Sequence, residues 1–141
     1  MAEETVDRAI MEGFLKKSKC VTRDLKLTSL PAISGSERFR IYGDNSADIL
    51  RITELDPESG NYLDPRLPYI RAELIWICRN EMPLFLEDVL ARRTRSLFLN
   101  ARASAEIAPL VAEIMAKEFG YDKKWEKEQV DAYKDLVRNY L

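Results

Sequence analysis

The sequence predicts an all-α fold, a single helical domain of about five or six helices with a long irregular segment between the first two. Three observations carry this. Apolar residues recur at helical spacing from Ala101 to Phe119, at Ala103, Ile107, Leu110, Val111 and Ile114, and Gly120 follows as a stop. Beyond Asp122, the residues Trp125, Gln129-Val130, Tyr133, Leu136-Val137 and Tyr140 fall on one face of a last helix. At the other end, Val6, Ile10 and Phe14 repeat every four residues.

The elements follow in order. Ala2 to Lys17 reads as the first helix, with Glu3, Glu4 and Asp7 near its start and Lys16-Lys17 near its end, as the helix dipole favours. Residues 18–43 are poorly periodic and punctuated by Pro31, Gly35 and Gly43, so a long loop with one short strand or helical turn is expected. Asp44-Asn45-Ser46 offers an N-cap for a helix that ends before Asp56-Pro57. Residues 58–68 form a turn-rich connector pinned by Tyr62, Leu63 and Leu67. Tyr69 to Asn80 has an apolar run at Leu74 to Cys78 that a buried strand would share, but its helical neighbours favour helix. Leu84 to Thr94 is the second member of a central helix pair. Pro109 is expected either to kink the helix around it or to mark that helix's true first turn. Asp122 caps the final helix.

Composition excludes several classes of function. There is no histidine, which removes the commonest general base and metal ligand. Ser-His and Cys-His nucleophile pairs, and di-iron sites of the Glu-x-x-His kind, cannot be assembled from this chain. Net charge is -2, so no global basic field points to nucleic acid. No apolar run approaches the ~20 residues that cross a bilayer. Cys20 and Cys78 are expected to be reduced thiols in a cytoplasmic setting, too few for a disulfide framework or an iron–sulfur site. No glycine-rich phosphate loop is present.

The chemistry-bearing residues concentrate between Tyr69 and Leu99, where Glu73, Glu81, Asp88, Arg92, Arg93 and Arg95 are threaded through apolar sequence. Charges in such a setting are tolerated when paired, and Asp88 and Arg92 sit one helical turn apart. A structural ion-pair cluster is therefore expected. The Arg92-Arg93-Thr94-Arg95 run could instead bind phosphate or nucleic acid, but the neighbouring carboxylates favour internal pairing. Glu73 and Glu81 are spaced for one helix face, so an acid/base pair is geometrically allowed; adjacent arginines explain them more simply. Trp125, Tyr133 and Tyr140 read as core or interface rather than a base-stacking platform. Lys123-Lys124 and Lys127 could meet an anionic membrane, but Glu126, Glu128, Asp131 and Asp135 dilute them into a solvated face.

The same stretch resembles the C-terminal helical domain of FAD-dependent glycerol-3-phosphate dehydrogenases and alpha-glycerophosphate oxidases. Glu73, Glu81, the run Glu87-Asp88-Val89-Leu90-Ala91-Arg92-Arg93-Thr94-Arg95 and Val111-Ala112-Glu113-Ile114-Met115 carry the likeness. Phe85 departs from it: that family has a Thr there, in a Thr-x-x-Asp capping box, and Phe85 cannot accept the backbone hydrogen bond. The resemblance implies residues 1–17 as a helix linking from a flavin domain, 18–43 as an irregular segment and 44–141 as a helical bundle. It implies a larger parent that oxidises sn-glycerol 3-phosphate to dihydroxyacetone phosphate, passing electrons through FAD to quinone or oxygen. The family's flavin-contacting Gly-Gly-Lys segment is missing, so the chain looks like part of a longer enzyme. The parent would be a cytoplasmic flavoprotein, peripheral on the inner membrane. The implied partners of this piece are the flavin and substrate domains of the same chain and, at dimer contacts, a second copy. On this view the piece carries no catalytic, cofactor-binding or metal-binding residue and is inactive alone. The rival expectation is a stand-alone helical interaction module that binds a protein helix or nucleic acid through Arg92–Arg95.

Overall fold

The structure, a computed structural model, describes residues 2–25 and 37–141. It divides into two compact units, Met1–Asp44 and Asn45–Leu141. Among the described residues there is no strand, only an isolated antiparallel bridge between Tyr62 and Ile70.

The first unit carries α1, Ala2–Met11, which buries no residue and leaves Val6 and Met11 exposed. It is shorter than the periodicity predicts. Gly13 adopts φ 81, a left-handed conformation that stops the helix, so Phe14 to Lys17 lie beyond it. The lysines expected in its last turn are therefore in the following coil. Residues 12–25 are exposed throughout. The punctuation expected at Pro31 and Gly35 lies outside the described residues. From Glu37 to Asn45 the chain forms 3-10 turns rather than a strand, interrupted at Gly43, where φ is 54.

The second unit is the helical bundle. Helix α2, Ser46–Leu55, ends before Asp56-Pro57 as the sequence predicts, but its start differs: Asn45 makes no side-chain cap and Ser46 is buried within the helix. A 3-10 turn, Pro57–Gly60, is capped by Asp56, whose carboxylate accepts from the Glu58 N–H. Leu63 and Leu67 anchor the connector in the core, while Tyr62 is more than half exposed. Helix α3, Arg71–Asn80, resolves the strand ambiguity: Ala72, Leu74, Trp76, Ile77 and Cys78 are all buried, more than one strand face would cover. Its start is held by Glu73, only 1% exposed, whose carboxylate accepts the Ile70 N–H at 2.8 Å. That is the glutamate half of a capping box, found where Ile70 offers no acceptor of its own.

The predicted second helix of the central pair is a six-residue π-helix, Asp88–Arg93, entered through Leu86 and Glu87. A short α4, Ser96–Leu99, follows, and then α5, Ala101–Phe119. The Asn100 side chain accepts from Ala103 N–H at α5's start, and Gly120 ends it at φ 74. Pro109 sits inside this helix, not at its first turn. Helix α6, Lys123–Val137, is capped by Asp122 as predicted, and a 3-10 turn, Arg138–Tyr140, closes the chain. Helix α5 packs against α3, α4 and α6. Its buried row of Ala103, Ser104, Ile107, Ala108, Val111, Ala112, Met115 and Ala116 is rich in small side chains, which lets neighbouring helices approach closely. Ser104 and Tyr133 share a buried hydroxyl–hydroxyl hydrogen bond of 2.6 Å between α5 and α6.

Two tests follow from this packing. Gly120→Ala meets no atom within 4 Å of the added Cβ, so its cost is backbone strain alone, about 1–2 kcal/mol in a denaturant titration. Cys20 is exposed and Cys78 buried; burial foremost, and then Glu118, pushes the Cys78 thiol up to about 12, against the pull of Arg79. Ellman's reagent at neutral pH is expected to modify Cys20 quickly and Cys78 only on unfolding.

Candidate functional site

The stretch that concentrates charge in the sequence is built around one carboxylate. Asp88 Oδ2 accepts the N–H groups of Leu84 and Phe85, both at 2.9 Å, and its Oδ1 accepts Arg92 Nη1 at 2.7 Å. The threonine that Phe85 replaces would have supplied the other half of this cap; the aspartate half is intact and fixes the start of the helical segment. Arg92 also reaches Glu87 at 2.7 Å. Arg93 binds Glu81 twice, through its side chain at 3.0 Å and its backbone carbonyl at 3.0 Å. Thus Glu81, Asp88, Arg92 and Arg93 are drawn into one region. These pairs lie at the surface, with the Arg92 side chain 53% exposed, so each contributes at most about 1 kcal/mol.

The remaining two predicted residues are placed differently. Glu73 serves the α3 start. Arg95 stands at the left-handed φ 53 and makes no ion pair with a carboxylate among the described residues. Its guanidinium carbon lies 6.0 Å from the Phe98 ring centroid. Tyr69 lies between these charges: burial raises its hydroxyl pKa most, the Glu73 charge raises it further, and Arg95 pulls it down.

Several linking residues were invisible to sequence reasoning. Arg66 bridges Asp64 and Glu106, tying the connector to α5. Arg79 grips Glu118 at 2.6 and 2.9 Å, tying α3 to the far end of α5. Gln129 of α6 accepts the Leu86 N–H at 3.0 Å. Their partners are some 40 residues away in sequence, and no local spacing signals such pairs. The Lys123–Glu126 and Lys124–Glu128 pairs match the solvated-face reading of α6.

A groove of about 250 Å³ lies between Phe85, Glu87 and the α6 residues Gln129, Ala132, Tyr133 and Leu136. It is too small for a dinucleotide, and no glycine-rich strand-to-helix turn is present among the described residues. The groove and its lining residues therefore do not fit FAD. No group of three or more Cys, Asp or Glu side chains is placed to hold a metal ion among the described residues. No helix there is long and apolar enough to cross a membrane. Two of the three guanidinium groups of the basic run are already occupied by carboxylates, which leaves little for a phosphate backbone.

By its fold the second unit is an all-α helical domain with much of its charge paired internally. Residues 16–126 match the family described as the C-terminal domain of alpha-glycerophosphate oxidase, and the chain belongs to that family. It is 30% identical over 97% of its length to a probable mitochondrial glycerol-3-phosphate dehydrogenase of Caenorhabditis elegans, of which it covers 22%. The figures for the mitochondrial glycerol-3-phosphate dehydrogenase of Homo sapiens are 31%, 97% and 22%. For SDP6, the mitochondrial glycerol-3-phosphate dehydrogenase of Arabidopsis thaliana, they are 26%, 99% and 27%. The chain thus spans about a quarter or less of the length of these relatives. Their names place them in mitochondria, whereas the sequence alone suggested a cytoplasmic setting. No solved structure matches the chain.

The Asp88 cap predicts a pH dependence. Burial raises the Asp88 pKa, but the Phe85 and Leu84 N–H groups and Arg92 outweigh it, and the net shift is downward. Asp64, held by Arg66, falls from 3.8 to about 2. Both carboxyls titrate lower folded than unfolded, so their stabilisation is complete above the unfolded value of 3.8 and is lost as pH falls through the folded value, about 2 for Asp64. Asp88→Asn is expected to cost about 1 kcal/mol at neutral pH. It should also flatten the acid limb of a stability–pH curve followed by circular dichroism.

Proposed function

We propose that this chain is the non-catalytic C-terminal helical domain of an FAD-dependent glycerol-3-phosphate dehydrogenase. The parent oxidises the secondary alcohol of sn-glycerol 3-phosphate to the ketone of dihydroxyacetone phosphate. FAD, held by other domains of that parent, would supply the acceptor for the two electrons, which would pass on to quinone or oxygen. The match over residues 16–126, which includes Leu90-Ala91-Arg92-Arg93-Thr94-Arg95, carries the reading. The lack of histidine in this chain, and a groove too small for FAD among the described residues, support placing flavin and substrate contacts on other domains of the parent. The names of the relatives support an oxidoreductase, and the mitochondrial setting of those relatives supports a parent that works beside a membrane containing quinone. Within this assignment, Glu73, Glu81, Asp88, Arg92 and Arg93 serve architecture rather than chemistry, and the bundle covers apolar surface of the flavin domain and contributes to dimer contacts.

The test is isolation of the affinity-tagged chain from its source cells, together with any polypeptide bound or joined to it. The 141-residue chain alone is expected to be colourless and to turn over no glycerol 3-phosphate. The isolated assembly is expected to show flavin absorbance and to reduce a quinone analogue or oxygen only when glycerol 3-phosphate is added. An assembly free of flavin, or flavin absorbance from the chain by itself, would overturn the assignment.

A further inference from the structure

The three arginines of the basic run are not equivalent. Arg92 and Arg93 are clasped by Asp88, Glu87 and Glu81. Arg95, two residues on, has no carboxylate among the described residues, a state it shares in the bundle with Arg51, Arg71 and Arg102, while Arg66, Arg79 and Arg138 each hold one. It also occupies a left-handed backbone position, φ 53 and ψ 19, which costs any residue with a Cβ and which glycine or asparagine would fill more easily. The backbone around it is tightly fixed. The buried Thr94 places both its N–H and its hydroxyl on the Val89 carbonyl, at 2.9 and 2.8 Å, and shares a 2.8 Å hydrogen bond with buried Ser96. The Arg95 carbonyl in turn accepts the N–H groups of Phe98 and Leu99, at 3.0 and 3.1 Å. A rigid double turn thus projects a strained, uncompensated guanidinium outward.

Apart from Tyr69, whose hydroxyl feels its charge, what lies beside that guanidinium is apolar or aromatic. Arg95 sits over Phe98, which is 56% exposed and meets Tyr140 edge-to-face at 5.8 Å, Tyr140 itself being 48% exposed. Leu99 and Leu141 are exposed next to them in sequence. Arginine and tyrosine set in an apolar surface are the composition of an interface hot spot. A single guanidinium with two paired neighbours is poor footing for a nucleic acid backbone, which needs several free cations in register. It suits one carboxylate presented by an apolar protein surface, because a guanidinium binds a carboxylate as a fork and gains strength when water is excluded.

We infer that Arg95, with Phe98 and Tyr140 beside it, is the docking point of this domain on the catalytic part of its parent enzyme, where it receives a carboxylate set in an apolar segment. The inference rests on the assignment made under Proposed function. Local strain held in place by a well-determined surround is what a preorganised contact requires: the cost is met in folding, and the side chain is already aimed when the partner arrives.

The test separates docking from folding. In Arg95→Gly the left-handed position is relieved and the guanidinium is lost. The variant is expected to melt no lower than the wild type yet to bind the flavoprotein part at least about tenfold more weakly by biolayer interferometry. Arg95→Glu should weaken it further, and Arg51→Glu, on the exposed α2 surface, should leave affinity unchanged. Wild-type affinity in both Arg95 variants, with the flavoprotein still captured, would overturn the docking role and leave the assignment of the domain standing. Equal weakening by Arg51→Glu would reduce the effect to net charge and overturn it as well. If the wild-type chain brings down no flavoprotein, the domain assignment and the docking role fall together.

Discussion

One carboxylate governs the middle of this molecule. Asp88 gathers two backbone N–H groups and a guanidinium, and by doing so decides where the chain turns from the Met82–Phe85 connector into a helical segment. Without an acceptor there, the first N–H groups of that segment would face solvent or go unpaired. Arg93 closes the same loop from the other side by holding Glu81. Gln129 fastens Leu86 to α6. The placement of Arg92, Thr94 and Arg95 all follows from the start that Asp88 sets.

Around this point the bundle is stabilised by burial, with charge arranged at the edges. The fully buried faces of α3 and α5 meet through leucine, isoleucine and a row of alanines. The ion pairs that span elements, Arg79 to Glu118 and Arg66 to Glu106, lie at the surface and set register more than they add stability. The result is a body whose interior is inert: Cys78 is held protonated by burial, and the Tyr133 hydroxyl, bonded to Ser104, is pushed up to about 12, again by burial. Neither offers a nucleophile at neutral pH.

Much of this was legible beforehand, and the reasons are specific. The end of α5 and the start of α6 were legible because Gly120 and Asp122 are strong punctuation, while Pro109 left the first turn of α5 open and no signal marked the end of α6 at Val137. Helix α1 was over-extended because Phe14 continues its period past Gly13, and the glycine's backbone proved stronger than the pattern. The cap read at Asn45 was not made, as Ser46 is drawn into the core instead. The π-helix could not be seen, since its apolar residues Val89, Leu90 and Ala91 are consecutive and fit any helical period. Within the charged region, Asp88 with Arg92 was readable from a four-residue spacing. Arg93 with Glu81, twelve residues back across a loop, was placed in the cluster by charge alone, and the isolation of Arg95 depends on a backbone angle that sequence does not carry.

The π-helix has a consequence for tolerance to length changes. Its wider turn absorbs one more residue than an α-helical turn would, as the bond from the Thr94 N–H back to Val89 records. Adding a further residue between Asp88 and Arg93 would exceed what the widened turn takes up, and everything beyond would swivel by about 100°. Hydrophobicity and charge would hardly alter, yet the guanidinium at the end would face another direction. For this family member, counting residues in that coil matters as much as naming them.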